Sequence, residues 1–233
     1  MRMEGQKPGF DMETVMDKKT WHRTVEDAAL EAQRRGTPLS VIFIDVNHFK
    51  DINDSLGHAY GDQVIAEIQG ILSKNLRLDK NRPGKNNDLI FVNEADSSVI
   101  DGFGADLDLQ SGHLGGDEFG ILCKTDDNGA RIVTSRLREA FDEYLQGESN
   151  TELKELGVSL AMGVSVLQEN MTVSQLLQAA DREMYEDKLR QLPPLTDEQR
   201  EFLIGLHEEL DKHRVRLRDI GKYVVLLSRE TKP

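Results

Sequence analysis

The sequence predicts an α+β sandwich, in which a small sheet is covered by helices. Short apolar segments of the kind that form buried strands alternate along the chain with longer segments of helical periodicity. Hydrophobic residues make up 38% and charged residues 30% of the 233 residues, a composition typical of a folded domain. The length suits one domain with an insertion or an appendage.

Three segments have the signals of strands in this sandwich. Residues 41–44 follow the breaker Pro38 and are apolar and mostly β-branched, which indicates a strand buried on both faces. We expect this strand to end at Asp45, whose carboxylate would open into the crevice where such sheets bind ligands. The other two strands are predicted over residues 118–124 and 157–167.

Four segments have apolar residues at helical spacing. They cover residues 17–35, 61–78, 129–147 and 173–190. Gly36 is expected to end the first helix, and Thr172 or Ser174 is a suitable cap for the last. The alternation of strands with these helices completes the predicted sandwich.

The main domain is predicted to span residues 11–192, after a polar and disordered lead-in over residues 1–10. An insertion interrupts it at 79–110, where asparagine, proline and glycine follow in close succession. Small strands are predicted within the insertion at 89–92 and 98–100. We favour surface decoration for the insertion, because long loops are usually surface elaborations, and regulatory and partner-binding roles stay open as alternatives.

Residues 196–228 form a separate amphipathic segment. Thr196 and Gln199 match a capping box at its start. Apolar residues then recur at alternating steps of three and four, the pattern of a coiled-coil seam, with His213 as a polar exception. Two interpretations stay open here, a coiled coil that pairs two chains and a long helix that packs on its own domain.

Composition argues against several classes of protein. The formal net charge of -13 has the wrong sign for a domain that holds nucleic acid by its phosphates. No apolar run approaches the ~20 residues that span a bilayer, so no membrane segment is predicted. The single cysteine, Cys123, excludes a disulfide within the chain. Because the N-terminus lacks the apolar core of a signal peptide, we expect a cytoplasmic protein.

Two short motifs concentrate carboxylates. The first runs from Asp45 to Asp62, and the second is the pentapeptide Gly-Gly-Asp-Glu-Phe at 115–119. Two glycines permit a tight hairpin, and acids at its tip would be costly without a cation or donor beside them. A divalent metal between Asp45 and Asp117 would satisfy both carboxylates, and hard oxygen ligands favour magnesium. Such a site suits metal-assisted phosphoryl transfer.

Other polar residues, in the first motif and at Lys188, have the chemistry of a nucleotide site. Lys50 and Lys188 carry point charges that suit phosphate. Asn53 and Asp62 match the edge of guanine, because an amide donates and accepts while a carboxylate accepts from two N–H groups.

The same motifs resemble the GGDEF diguanylate cyclase family. Residues 45–62 resemble the family segment D-x-D-x-F-K-x-I-N-D-x-x-G-H-x-x-G-D, with Asn47 in place of the second acid. Residues 115–119 match the family's signature. Residues 180–188 resemble its late helix A-D-x-A-M-Y-x-A-K, and residues 163–164 resemble its S-x-G-V strand. The resemblance covers most of the main domain and implies a palm-like fold, with a mainly antiparallel central sheet flanked by helices.

The resemblance also implies a role for each matching residue. Asp45, Asp117 and the carbonyl of Val46 would hold magnesium or manganese. Glu118 would lie near the attacking hydroxyl, as a second metal ligand or a base, which completes a catalytic set with Asp45 and Asp117. Lysines and the backbone amides that follow Val46 would bind the phosphates of GTP. The implied substrate-binding positions are Asn47, His48, Phe49, Lys50, Asn53, His58, Asp62, Gly116 and Lys188.

The implied function is that of a diguanylate cyclase, which condenses two GTP molecules into cyclic di-GMP and releases pyrophosphate. Each domain would bind one GTP, so a homodimer is expected, and a regulatory protein is a further possible partner. Two alternatives stay open. One is a catalytically impaired GGDEF domain that binds GTP or docks a partner protein, and the other is a chain that serves chiefly as an assembly element.

Some positions depart from the family's pattern. His113 and Leu192 stand where the family usually has arginines, so two potential cations for phosphate are missing. Arg190 could replace them only if the end of its helix were rearranged. Asp106 and Leu109 stand where the family often has R-x-x-D, so no product inhibition is expected at that place.

Overall fold

The computed structural model describes residues 15–16, 18–75, 88–92, 111–115, 117–192 and 195–212. The strands are β1 (Val15–Met16), β2 (Ser40–Asn47), β3 (Asp88–Val92), β4 (Ser111–Gly115), β5 (Glu118–Cys123) and β6 (Ser159–Val166). The helices are α1 (Lys18–Arg35), α2 (Phe49–Leu56), α3 (His58–Asn75), α4 (Asp127–Leu145), α5 (Thr151–Glu155), α6 (Val173–Arg190) and α7 (Asp197–Lys212). None of these helices is long and apolar enough to cross a membrane.

The sheet is mainly antiparallel, and β2 lies between β5 and β6. The strand order is β1-β4-β5-β2-β6, and β3 also pairs with β5. β2 runs antiparallel to both of its neighbours, whereas the short strand β1 is parallel to β4. The predicted α+β fold, with a mainly antiparallel sheet flanked by helices, is confirmed.

Side chains of β2 alternate between two apolar clusters, one on each face of the sheet. Ile42 and Ile44 belong to a cluster that includes residues of α2, α3 and α4. Val41 and Phe43 belong to a second cluster, with residues of α1 and α6. All four side chains are buried, so the prediction of a strand buried on both faces is confirmed. This two-sided burial explains why residues 41–44 form a continuous apolar run.

Helix α6 lies very close to β6, and a glycine makes this approach possible. A Cβ on Gly163 would lie 2.0 Å from the backbone nitrogen of Met184 and 2.2 Å from the carbonyl oxygen of Ala180. Because both are backbone atoms of α6, any larger residue would force the helix away from the strand. Packing alone therefore accounts for this glycine.

Side chains of α6 also satisfy the outer edge of β6, which lies at the end of the strand order. The backbone nitrogen of Met162 donates to Asp187 Oδ2 at 3.0 Å, and that of Val164 donates to Glu183 Oε2 at 3.2 Å. The two acids are four residues apart, which is about one helical turn. This spacing matches that of the two N–H groups, which are two residues apart along the strand. The helix thereby covers an edge that would otherwise be open to pairing.

Two predicted boundaries near the first carboxylate motif were wrong. β2 does not end at Asp45 but continues to Asn47. The extension arises because β6 still pairs with it, Val46 opposite Leu160 and Asn47 opposite Ser159. Asp45 is therefore held by strand pairing on both sides, more rigidly than a residue at a strand end would be.

The second boundary concerns the helix predicted over 61–78. It begins earlier, at the start of α3, and it is preceded by the unpredicted helix α2. Gly57 separates the two helices with a φ of 88°, a conformation that favours glycine. The strand predicted at 89–92 is confirmed as β3, while residues 1–10 and 98–100 lie outside the described residues.

Helix α7 packs on α6. The predicted capping box is confirmed, with reciprocal hydrogen bonds between Thr196 and Gln199 at 2.9 and 3.2 Å. Leu203 and Ile204 are buried in an apolar cluster with Tyr185 of α6. Burial of these side chains attaches the helix to its own domain.

A polar contact continues the packing of α7 toward its end. His207 Nε2 lies 2.7 Å from Asp181 Oδ2, and the His207 ring stacks on Tyr185 with 4.0 Å between ring centroids. Over Asp197–Lys212 the segment thus packs on its own domain, the second of the two interpretations left open by the sequence. Residues 213–228, with His213, lie outside the described residues, and a coiled coil there stays a prediction.

Candidate active site

The pairing of β2 with β5 brings the predicted acids to one end of the sheet. Asp45 lies directly opposite Glu118 in the antiparallel register. The backbone nitrogen of Val46 donates to the carbonyl oxygen of Asp117 at 3.1 Å, which holds Asp117 beside the end of β2. Asp45 is 8% exposed, and Asp117 and Glu118 are half-buried. The three carboxylates therefore occupy one partly enclosed region.

A tight hairpin carries Asp117. β4 ends at Gly115, β5 begins at Glu118, and these two residues pair with each other. Asp117 thus lies at the tip, between two strands of the central sheet. This is the hairpin that the pentapeptide at 115–119 led us to expect.

The acidic end of the sheet carries excess negative charge. The pKa of Asp117 is raised from 3.8 to about 7, first by burial and then by the negative charges of Asp45 and Glu118. The positive charge of Lys188 acts in the opposite direction. A divalent cation would offset the cost of ionising these buried carboxylates, and their oxygen atoms are the ligands that magnesium prefers. The oxygen donors therefore have the chemistry that magnesium prefers.

Lys188 is the cation that faces Asp45 in this structure. Helix α6 places Lys188 Nζ 2.6 Å from Asp45 Oδ1, although the residues are 143 positions apart in the chain. The side chains are 29% and 11% exposed, so this ion pair is partly shielded from solvent. Within the described part of the chain, no three histidine, cysteine or acidic side chains form a group arranged to hold a metal ion.

The turn after β2 leads into the N-terminus of α2. His48 adopts a left-handed conformation with φ 65°, and its side chain makes no capping bond to α2. Its Nδ1 lies 2.9 Å from Asp51 Oδ2 instead. Phe49 and Lys50 form the first turn, in which Lys50 Nζ donates to Asp54 at 3.0 Å. The first N–H groups of a helix have no partner within it, so this turn is suited to an anion.

The residues predicted to read guanine lie on the α2–α3 hairpin. A Cβ on Gly61 would lie 2.0 Å from Asn53 Oδ1, so the glycine leaves room for the half-buried Asn53 side chain. Asp62 follows directly and is exposed, as is His58 at the start of α3. Gly57 N donates to Asn53 O at 3.0 Å and closes the turn between the helices. Asn53 therefore lies against Gly61, the residue that precedes Asp62.

Leu192, which stands where the family usually has an arginine, and Arg190, the possible replacement, are both engaged in other contacts. Leu192 is half-buried and packs against the apolar cluster between α6 and α7. Arg190 lies within 3.6 Å of Glu186 and 3.8 Å of Asp187, so it is engaged by acids of its own helix. Four further predicted positions lie outside the described residues or have no described side chain: Asp106, Leu109, His113 and Gly116.

One contact at the site was missed by sequence reasoning. Asn47 was expected to act through its backbone amide, yet its side chain is buried and bonded to the end of α6. Asn47 Nδ2 donates to Gln191 Oε1 at 2.9 Å and to Ser159 Oγ at 3.0 Å. Gln191 lies only three residues after Lys188 in the sequence, but its contact with Asn47 is revealed only by the fold.

The fold and the acidic hairpin define the class of GGDEF domains. The family described as diguanylate cyclase, GGDEF domain, matches residues 12–98 and 108–192. Since this match covers more than half of the sequence, the chain belongs to the GGDEF diguanylate cyclase family.

Individual relatives agree with this assignment. The chain is 30% identical over 159 residues to the probable diguanylate cyclase DgcT of Escherichia coli K12, a match that covers 67% of this chain and 28% of DgcT. The GGDEF domain of PA1120 from Pseudomonas aeruginosa is 25% identical, with a TM-score of 0.53 over 75% of this chain and 91% of that one. The diguanylate cyclase SiaD, in complex with its activator SiaC from the same organism, is 22% identical with a TM-score of 0.54, over 75% and 55%.

Proposed function

We propose that this chain is a diguanylate cyclase domain that condenses two GTP molecules into cyclic di-GMP. The observation that carries the proposal is the meeting of Asp45, Asp117 and Lys188, which come from three separate elements, at one end of the sheet. Acids that suit a metal ion and a lysine that suits phosphate are the groups that phosphoryl transfer requires. The family assignment supports the same reaction.

The metal in this proposal is magnesium, or manganese, held by Asp45, Asp117 and the carbonyl of Val46. When bound, it would neutralise charge on the triphosphate and acidify the attacking 3′-hydroxyl. Glu118 lies opposite Asp45 in the sheet, and it would accept the hydroxyl proton or complete the metal's ligands. Each 3′-oxygen forms a bond to the α-phosphorus of the other GTP, and the bond from that phosphorus to pyrophosphate breaks.

The chain's own cations and amides would hold the triphosphate. Lys188, which pairs with Asp45 in this structure, would bind a phosphate oxygen instead if a metal offset the charge of that carboxylate. The backbone amides from Asn47 to Phe49, at the start of α2, supply neutral donors to the same group. Lys50, on the first turn, adds a further positive charge.

The base would be read by the α2–α3 hairpin. The Asn53 amide can both donate and accept, while the exposed carboxylate of Asp62 can accept from N1–H and the exocyclic amine of guanine. Adenine presents no such pair of donors at that edge, so the carboxylate favours GTP over ATP.

The reaction needs two such domains face to face, since each would bring one GTP. A homodimer is therefore part of the proposal, and residues 196–228 or a separate protein would set its geometry. SiaD, which has the same fold, is in complex with an activator protein. We propose by analogy that a regulatory protein can act on this chain.

The test is incubation of the purified chain with GTP and magnesium, with cyclic di-GMP detected by mass spectrometry. The unsubstituted chain should form the product, and Asp117→Ala should form none. Asp142→Ala, which removes an exposed acid of α4, is the matched control and should keep full activity. Equal product from both variants would contradict the assignment of the site.

A catalytically impaired GGDEF domain is the second candidate. The packing of Leu192 into an apolar cluster favours it, because no phosphate cation stands at that position. This candidate predicts that the chain binds GTP in magnesium buffer but releases no cyclic di-GMP.

A further inference from the structure

The end of α6 is tied to the strands of the site through the side chain of Gln191, the residue that closes the helix. Its Oε1 accepts from Asn47 Nδ2 at 2.9 Å and from Ser159 Oγ at 2.7 Å. Its Nε2 donates to the carbonyl oxygen of Leu160 at 3.1 Å and to Asp187 Oδ2 at 3.1 Å. A carboxamide has two acceptor and two donor positions, and all four are used. Although Gln191 is partly exposed to solvent, its amide is fully committed to the protein.

These four bonds connect three elements. Asn47 is the last residue of β2, Ser159 and Leu160 begin β6, and Asp187 belongs to α6. Asn47 directly follows Val46 and leads into the turn proposed to bind phosphate. Lys188 lies three residues before Gln191, on the final turn of the helix. Gln191 therefore joins the two parts of the chain that would both contact the triphosphate.

We propose that Gln191 is a positioning residue for triphosphate binding, which acts by holding Lys188 at a fixed distance from the turn after Asn47. The inference rests on the proposed function, because it concerns the GTP site. A side chain that holds two phosphate-binding groups in register changes affinity for the triphosphate without touching it. The guanine-reading residues lie on another pair of helices and should be unaffected.

The polarity of the pair makes the contact specific. Both hydrogens of Asn47 Nδ2 are donated, one to Gln191 and one to Ser159. An aspartate at 47 would place an acceptor against Gln191 Oε1, and turning the glutamine over would set its oxygen against two other acceptors, Leu160 O and Asp187. Asn47→Asp is therefore expected to disrupt the network although it changes only one atom of the side chain.

The experiment measures affinity for GTP and for guanosine in magnesium buffer, with guanosine followed by competition against labelled GTP. Gln191→Ala should weaken GTP binding by about tenfold and leave guanosine binding nearly unchanged, and it should lower the melting temperature because four hydrogen bonds are lost. Gln178→Ala is the matched control, since it removes an exposed glutamine of the same helix. It should change neither affinity.

A double-mutant cycle tests whether Asn47 and Gln191 act together. If they do, the variant that carries both Asn47→Ala and Gln191→Ala should bind GTP about as tightly as the single variant that has the lower affinity for GTP. Losses that multiply, equal losses for GTP and guanosine, or unchanged GTP affinity in Gln191→Ala would overturn the inference. Absence of GTP binding by the unsubstituted chain would overturn the proposed function as well, which separates the two failures.

Discussion

The two sides of the site differ in how fully their side chains are bonded within the protein. On the α6 side, the acids and the glutamine of the helix are bonded to β6 and β2, and Lys188 is paired with Asp45. On the α2–α3 side, Asp62 and His58 are exposed. One side is assembled by the fold itself, and the other presents polar atoms to solvent.

The difference has a physical reason if the site binds GTP. The triphosphate is the same in every nucleoside triphosphate, so a rigid framework can be arranged for it in advance. A base has to be selected, and polar atoms that read it must first exchange water for the base edge. Substitutions on the α6 side should therefore cost stability, and those on the α2–α3 side should cost affinity.

The largest effect is expected from Gly163→Ala, which forces α6 away from β6. The new Cβ would lie 2.0 Å from the backbone nitrogen of Met184, and that atom can move only with the helix. We expect a loss of about 3 kcal/mol or more in the free energy of unfolding, measured by urea denaturation. Gly70→Ala, in α3, is the control, because nothing lies within 4 Å of its Cβ. A similar small change in both variants would show that the close approach is wrong.

The next effect is expected from Asp187→Ala, which leaves the backbone nitrogen of Met162 and the guanidinium of Arg138 without their carboxylate partner. The loss should be about 2 kcal/mol in the free energy of unfolding, the cost of unpaired, partly buried donors. Glu186→Ala removes a neighbouring acid that pairs with two arginines of the same helix, and it should cost less than about 1 kcal/mol. Equal losses would argue against a special role for the strand edge.

On the other side of the site, Asp62→Ala should weaken GTP binding by about tenfold, with an unchanged melting temperature. Because the carboxylate is exposed, its removal should weaken recognition of the base and leave the fold unchanged. Glu67→Ala, which removes another exposed acid of α3, should have no effect on affinity. Isothermal titration calorimetry gives both affinities. A fall in the melting temperature of Asp62→Ala would contradict the expectation that substitutions on the α2–α3 side affect affinity and not stability.

A further effect depends on pH and concerns Asp117. Because its pKa rises from 3.8 in the unfolded chain to about 7 in the folded one, ionisation opposes folding in metal-free buffer. The protonated Asp117 carboxyl therefore leaves the fold at its full stability below pH 3.8. This stability is lost as the pH rises through about 7 and the carboxyl ionises. Asp117→Asn should therefore raise the melting temperature above pH 7, by about 2–4 °C for each kcal/mol that ionisation costs, and hardly at all near pH 4. A gain that does not grow with pH would contradict the raised pKa.

The central strands and the acidic hairpin were predictable because their signals are local. Residues 41–44 are an apolar run, and residues 115–119 combine turn-forming glycines with acids. The end of β2 was wrong because its pairing with Ser159 and Leu160 depends on residues more than a hundred positions away. Gln191 was missed for the same reason, since its partner Asn47 is 144 positions distant.

We propose that the site selects a guanine nucleotide, and the decisive measurement is calorimetric titration of the purified chain with GTP and with ATP, both in magnesium buffer. We predict saturable binding of GTP that is at least about tenfold tighter than that of ATP, because Asp62 can accept from guanine and not from adenine. Equal affinity for the two nucleotides, or no binding of either, would show that the site does not select guanine.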